Sequence, residues 1–362
     1  MIDKLPLAEK TNIGNWPFNE LVLKDVSVPT LHNLDIEVKE NQLILVDGNV
    51  VHQTLPSGIE IKTDKSLEEL TPASNQLLAA NEMKRNSLLL ITVASGMVVT
   101  ESISVVIVAK ERSLVHKTEV VLGKGAHLEL LETYVGIGKF NANIISTAQL
   151  AANSHLTVNT VSNMPADTTV YHHRHTQIEN DGAIDATNFV INDANMVFED
   201  FTQLSGRGSE ADVKTVSIAS NDQKQNITIR TMNIASHTTG NIVNYGIVKD
   251  DAHLAFNGIG KILKAAKASD NQQETRLLNL SKTAEAIANP FLLIDEGDIT
   301  AGHAASIGQL DEEQIYYLMS RGLSRAEAGK MIVSGFLAPF VDGIDDEKMK
   351  ETLVEKIEAK LG

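Results

Sequence analysis

One short phrase, repeated along the middle of the chain, limits the fold more than any other feature. It runs turn residue, Ala or Ser, any residue, apolar residue, any residue, apolar residue. Full copies are Gly125-Ala126-His127-Leu128-Glu129-Leu130, Asn153-Ser154-His155-Leu156-Thr157-Val158, Gly208-Ser209-Glu210-Ala211-Asp212-Val213 and Asp251-Ala252-His253-Leu254-Ala255-Phe256. A weaker copy, shifted by one position, is Gly182-Ala183-Ile184-Asp185-Ala186. The starts are spaced 28, 29, 26 and 43 residues apart. Such spacing marks a solenoid, whose successive coils stack their inward apolar positions into one core. Between Leu88 and His303 the chain comes as short β-branched runs broken by Gly, Asn, Asp or Ser, with little helical periodicity. Each coil is therefore expected to be built from strands. The repeat is degenerate, and taken alone it leaves a β-sandwich open.

Composition agrees with stacked strands. Hydrophobic residues make up 43% of the 362 residues but aromatic ones only 4%, so the core must be Val, Ile, Leu and Ala. The formal net charge of −16 argues against nucleic acid and anionic membrane surfaces as partners and leaves a basic protein face as a suitable one. With no cysteine, the chain has neither a disulfide nor a thiolate ligand of its own. No apolar signal region follows the opening Met-Ile-Asp-Lys-Leu-Pro. The stretch Leu88 to Val99, broken by Thr92, Ser95 and Gly96, falls short of the roughly 18–20 residues a membrane span needs. A cytoplasmic protein is expected.

Three regions follow from this texture. Residues 1–84 are mixed, with a strand, an Asp-Gly-Asn turn and a returning strand over Leu43 to Val51, then a helical stretch from Ser66 to Lys84. Residues 85–308 form the β core. Residues 309–362 are helical: Asp311 to Gln314 and Ser324 to Glu327 fit capping boxes. Ile315, Leu318 and Met319 form one stripe, and Ala328, Met331, Ile332 and Phe336 a second. A third helix opens at Asp345 with Met349, Leu353, Ile357 and Leu361 on one face.

The junction of the last two regions carries a resemblance. It reads Asp298-Ile-Thr-Ala-Gly-His303-Ala-Ala-Ser-Ile-Gly308-Gln309-Leu310-Asp311, then Tyr316-Tyr317-Leu318-Met319-Ser320-Arg321-Gly322-Leu323 and Gly335-Phe336. Upstream lie Leu277-Leu278-Asn279-Leu280-Ser281 and Asn289-Pro290-Phe291-Leu292-Leu293-Ile294. This resembles the C-terminal signature of the SufB/SufD family of iron–sulfur cluster assembly, more loosely back to about residue 80. The resemblance implies a right-handed parallel β-helix between a mixed N-terminal region and a C-terminal helical domain. It also implies a scaffold subunit, not an enzyme, that pairs with a SufB-type chain through the β-helix and docks a SufC-type ATPase on the C-terminal helices. SufB-type chains carry a functional cysteine in the β-helix, and its absence here favours the SufD type. Some SufD-type chains have a cysteine two residues before the signature His; here that position is Ala301.

Within this frame His303 is the first site candidate, implied to be a metal ligand or proton-transfer group where the partner chain meets this one. Imidazole suits either role. The plain alternative is a hydrogen-bonded His at the β-helix edge, with Gly302 and Ala304 allowing tight packing. No cofactor is expected on this chain alone, with iron or an iron–sulfur cluster at the complex interface. The isolated chain could form a homodimer. Tyr316, Tyr317, Arg321 and Phe336 are the candidates for ATPase docking, on the ground that short helices leave apolar surface over.

Three other features are weighed against plain readings. In Tyr171-His172-His173-Arg174-His175, His173 and His175 share one strand face and could hold a divalent metal, but Arg174 intervenes and the nearest carboxylates in sequence stand clear; an outward polar strand is the default. Asp185, Asp193, Glu199, Asp200 and Asp212 are too irregularly spread for a carbohydrate-active groove and read as solvated turns. Gly258-Ile259-Gly260-Lys261 lacks the spacing of a phosphate loop and reads as a β-turn. Besides the scaffold reading, a divergent SufB-like homodimeric scaffold and a β-helix carbohydrate enzyme remain, disfavoured by the missing cysteine and the missing acidic cluster.

Overall fold

The computed structural model describes residues 38–63, 76–110, 112–342 and 347–361, together with Ile36 and Ile344. Within these the chain winds as a parallel β-solenoid of about 8 turns. Nineteen strands run from β1 (Gln42–Val46), β2 (Asn49–Thr54), β3 (Ile59–Lys62), β4 (Ser87–Val93), β5 (Ile103–Ala109), β6 (Leu114–Leu122), β7 (His127–Gly136) and β8 (Asn141–Leu150) onward. They continue as β9 (His155–Asn163), β10 (Thr169–Ile178), β11 (Ala183–Val190), β12 (Asn195–Leu204), β13 (Glu210–Ala219), β14 (Lys224–Asn233) and β15 (Thr239–Val248). The last are β16 (His253–Ile262), β17 (Ser269–Asn279), β18 (Glu285–Ile294) and β19 (Ile299–Gly308). The odd strands from β5 stack into one sheet and the even strands from β4 into the other, each strand pairing in parallel with the one two places on. Among the described residues, only the hairpin β1–β2 and the pair β3–β4 are antiparallel.

The repeated phrase is the corner and entry of a coil. A left-handed backbone marks the corner, at the turn residue itself in Gly125, Asn153 and Gly208 and one residue earlier, at Asp181 and Asp250, in the copies that open at Gly182 and Asp251; Gly, Asn and Asp tolerate this conformation best. Its apolar positions stack in register: Leu128, Leu156, Ile184 and Ala211 lie side by side on β7, β9, β11 and β13. The irregular last spacing also has a cause. The copy at Asp251 opens β16 of the other sheet, one and a half coils after β13, because β15 between them places Gly240 where the phrase wants an apolar side chain.

Within the core one feature differs from the sequence expectation. Gly258 and Gly260 lie inside β16, not in a turn, because the coil has amide side chains opposite them. A Cβ on Gly258 would come within 2.8 Å of Gln273 Oε1, and one on Gly260 within 2.6 Å of Gln273 Nε2. The expected helix from Ser66 begins, among the described residues, as α1 (Gln76–Lys84), and residues 66–75 lie outside them. α1 lies over the even sheet: Leu77 and Leu78 pack on Tyr171 and Val197, and the Asn81 amide donates to the carbonyls of His116 and Asn143 at 3.0 Å each.

The tail forms α2 (Glu312–Ser320), α3 (Arg325–Val341) and α4 (Glu347–Leu361). Asp311 caps α2 by accepting from the Glu313 amide at 2.8 Å, and Ser324 and Glu327 form a reciprocal capping box on α3. Asp345 and the side chain of Met349 lie outside the described residues. Val333, Leu337, Phe340, Leu353 and Ile357 bury against Val161, Phe189, Val216, Ile218 and Ile247 on the outer face of the odd sheet. The α3 stripe is therefore rotated from the expected one, and Met331 is 53% exposed. No helix among the described residues is long and apolar enough to cross a membrane.

Candidate functional site

The solenoid ends in an open rung. Among the described residues β18 pairs only with β16 and β19 only with β17, so each leaves one edge without a strand. Such an edge is a template for another chain. Register fixes the side-chain directions on it. His303 continues the ladder Val213–Ile242–Gln273, whose first three members point into the coil. His303 therefore sits over the mouth of the lumen, exposed, with the Ile307 side chain further along the same face. Opposite it, β18 turns Ala286, Ala288, Pro290, Leu292 and Ile294 inward, by pairing with Leu254, Phe256, Gly258, Gly260 and Ile262. The Gln273 amide donates to the Phe291 carbonyl at 2.9 Å and ties the two sheets together beneath the rung. Of the small residues around His303, Ala304 and Ala305 are exposed, but Gly302 serves its own chain: a Cβ there would lie 2.6 Å from Gln272 Oε1.

A second exposed surface lies on α2 and α3. Tyr316 is 75% and Tyr317 55% exposed, with Met319 and Met331 exposed as well. The Arg321 guanidinium lies 5.2 Å from the Tyr317 ring centre, and Arg325 bridges to Glu312 and fixes α3 against α2. Phe336 does not belong to this surface: its ring stacks on Tyr245 of β15 with centroids 4.7 Å apart.

The histidine run differs from an outward polar strand. His172 points into the lumen and is buried, where burial, Arg174 and neighbouring histidines hold it well below the ordinary imidazole range. His173 and His175 do share the outer face. A carboxylate does reach His173, from the next coil: Glu199 lies 3.2 Å from His173 Nδ1 and accepts from the Tyr171 hydroxyl at 2.7 Å. Burial pulls the His175 ring below its ordinary range. No three His, Asp or Glu side chains converge on a possible metal position among the described residues.

Nor are the five scattered carboxylates all solvated turns. Asp185 pairs with His155 at 2.7 Å, Asp193 with Lys360 at 3.1 Å and Asp212 with Lys214 at 2.8 Å. Asp200 is buried in the lumen, because its position on β12 is inward. There Arg174 Nη1 donates to Asp200 at 3.1 Å and to Asn188 Oδ1 at 2.8 Å, while Glu132 stands 4.0 Å from the other guanidinium nitrogen. Burial pushes both carboxyls above their ordinary range, with Arg174 opposing in each case. The sequence does carry a signal for this interior. Glu132, Thr160, Asn188 and Thr215 each stand four positions after the first inward apolar residue of their coil, Leu128, Leu156, Ile184 and Ala211. They stack as one ladder, continued by Asn244 and Thr275.

Comparison with known proteins separates these possibilities. The family model "SUF system FeS cluster assembly, SufBD core domain" matches residues 105–336. The chain belongs to the SufBD family. It is 31% identical to the iron–sulfur cluster assembly protein SufD of Bacillus subtilis over 99% of this chain and 90% of that one. It is 24% identical to SufD of Escherichia coli over 96% of this chain and 88% of that one. An iron–sulfur cluster assembly SufBD family protein of Staphylococcus epidermidis is 29% identical over 44% of this chain and 35% of its own. The role of this SufBD chain therefore lies in iron–sulfur cluster assembly by the SUF system, and the Bacillus subtilis and Escherichia coli relatives, each matched over nearly the whole of this chain, are SufD proteins.

Proposed function

We propose that the chain is the SufD-type scaffold of a SUF complex, without turnover of its own. It pairs with a SufB-type chain edge to edge through the open rung and docks a SufC-type ATPase on the exposed face of α2 and α3. The observation that carries the reading is the rung itself. Two parallel edge strands with inward apolar side chains and no strand beyond them, among the described residues, suit continuation by a second solenoid. A second copy of this chain would use the same rung when the partner is lacking. The nascent cluster or its iron is cargo of the paired rungs, and His303 supplies at most one nitrogen to it, the remaining ligands coming from the partner. Tyr316, Tyr317 and Arg321 supply the aromatic and guanidinium anchors common at protein interfaces; Phe336 supports the face from beneath.

His303→Ala tests the cargo role. An exposed side chain contributes little to stability, so the variant complex should assemble with unchanged stoichiometry and carry far less iron and sulfide. Wild-type cluster content in that complex would make His303 a structural residue.

A further inference from the structure

The lumen of a β-helix could be wholly apolar, and over much of its cross-section this one is. One column is not. The ladder of Glu132, Thr160, Asn188, Thr215, Asn244 and Thr275 runs through six consecutive coils of the odd sheet, every member at most 3% exposed. Its members touch across the coils: Asn188 Nδ2 lies 3.5 Å from Thr215 Oγ1, and Asn244 Nδ2 lies 3.3 Å from Thr275 Oγ1. The position after Thr275 is Ala305, on the open rung two residues from His303. Toward its inner end, at Glu132 and Asn188, the column meets Arg174 and Asp200.

Charge balance there demands a proton. One guanidinium faces two carboxyls, and all three groups are buried. The other titratable groups around them are Tyr134, His172 and His116 within the lumen and His173 outside it. Burial keeps His172 neutral and brings His116 down to about 3, so neither adds a positive charge. Tyr134 donates to Glu132 at 3.4 Å. Two ionised carboxylates on one cation would leave an uncompensated buried charge, which is strongly unfavourable. Asp200, at 3.1 Å from Arg174, is the better-paired anion, and Glu132 at 4.0 Å is the better acid.

The lumen around the column also holds polar atoms that want partners, on β10, β12 and β17 as well as at Asn244 within the column. Asp200 Oδ1, Thr176 Oγ1, Thr202 Oγ1, Asn244 Oδ1 and Gln273 Oε1 are buried without a hydrogen-bond partner among the described residues. A cavity of about 10 Å³ beside Glu132, Arg174, Ser146 and Thr176 is near the lower limit for one water. Buried oxygens of this kind are normally met by internal water.

We propose that this column is a hydrated proton path, which lets the proton held by the Glu132–Asp200 pair exchange with the medium at the open rung beside His303. The ligand it binds is water. In each exchange the carboxyl O–H passes its proton to a neighbouring water or hydroxyl oxygen. That oxygen releases its own proton onward, and the carboxylate is reprotonated along the same file. No net charge moves and nothing is oxidised or reduced.

The test uses the full chain in D₂O and the infrared C=O stretch of a protonated carboxyl, which stands clear of the amide bands. Wild type should show a buried carboxyl band that Glu132→Gln or Asp200→Asn removes. That band should take its deuterium shift early, before the strand amides of the core exchange. Thr215→Val combined with Asn244→Leu interrupts the column and should delay the shift until those amides exchange. Absence of the band, a wild-type shift that waits for the core amides, or an interrupted variant that exchanges as fast as wild type would each overturn the proposal. Should the double variant not fold, the wild-type time course still decides between an open and a closed lumen.

Discussion

Replacing Arg174 by Met would remove the one cation that, among the described residues, faces Glu132 and Asp200 inside the solenoid. The side chain is 3% exposed, and it donates to Asp200 at 3.1 Å and to Asn188 at 2.8 Å. Breaking a buried ion pair by deleting one partner costs about 3–5 kcal/mol, because a charge is left without compensation. Glu132→Gln should behave differently. Glu132 already holds the proton, so a neutral amide of the same shape should change stability by less than about 1 kcal/mol. The pH dependence gives an independent reading. Burial raises both carboxyls in the folded chain. Their contribution is therefore full below the unfolded value of about 4 and is lost as pH rises through the raised values. Removing Arg174 raises them further, so the deficit of the variant should widen from acid to neutral pH. Urea unfolding followed by far-UV circular dichroism at several pH values measures all three quantities. An Arg174→Met chain within about 1 kcal/mol of wild type at pH 7 would refute the charge-balance reasoning.

Phe336→Ala should cost about 2 kcal/mol, below the range for a fully buried aromatic, since the ring is only partly covered by Tyr245. Tyr316→Ala should stay within about 0.5 kcal/mol of wild type in the same unfolding assay and weaken retention of the ATPase partner in a pull-down; the reverse pattern would move the docking face elsewhere. The His155 ring should titrate above its ordinary range, because its hydrogen bond to Asp185 favours the cation. Asp185→Asn should return it, as read by NMR. The pair's contribution should be present above the unfolded Asp value and lost as pH rises through the His155 value, at about 0–1 kcal/mol for so exposed a pair.

The architecture was legible where turn chemistry and inward positions agreed. Leu128, Leu156 and Ile184 each follow a left-handed corner residue, and that conjunction recurs often enough to be read. It failed at β15 and β17, where Gly240, Asn271 and Gln273 occupy inward positions. A polar lumen erases the alternation that marks a strand from sequence. For the same reason Asp200 was indistinguishable from a solvated acid, since its partner Arg174 lies a full coil away and only register brings them together. That His303 lies near the end of the β core was readable, but its place within β19 and its direction over the lumen depend on the ladder from Val213 through Gln273. In the tail, the caps at Asp311 and Ser324 were read from local spacing, whereas the buried face of α3 was set by the apolar outer face of the odd sheet it packs on, which spacing alone does not carry.

Pairing through the open rung is best tested by charging it. Ile294 and Ile307 lie on its inward face and are 42% and 50% exposed, so Ile294→Asp with Ile307→Asp should leave the melting temperature of the isolated chain nearly unchanged. Co-expressed with the other SUF components and recovered by a tag on this chain, the double variant should retain the ATPase and lose the SufB-type subunit. Recovery of both partners at wild-type stoichiometry would contradict edge-to-edge pairing at this rung.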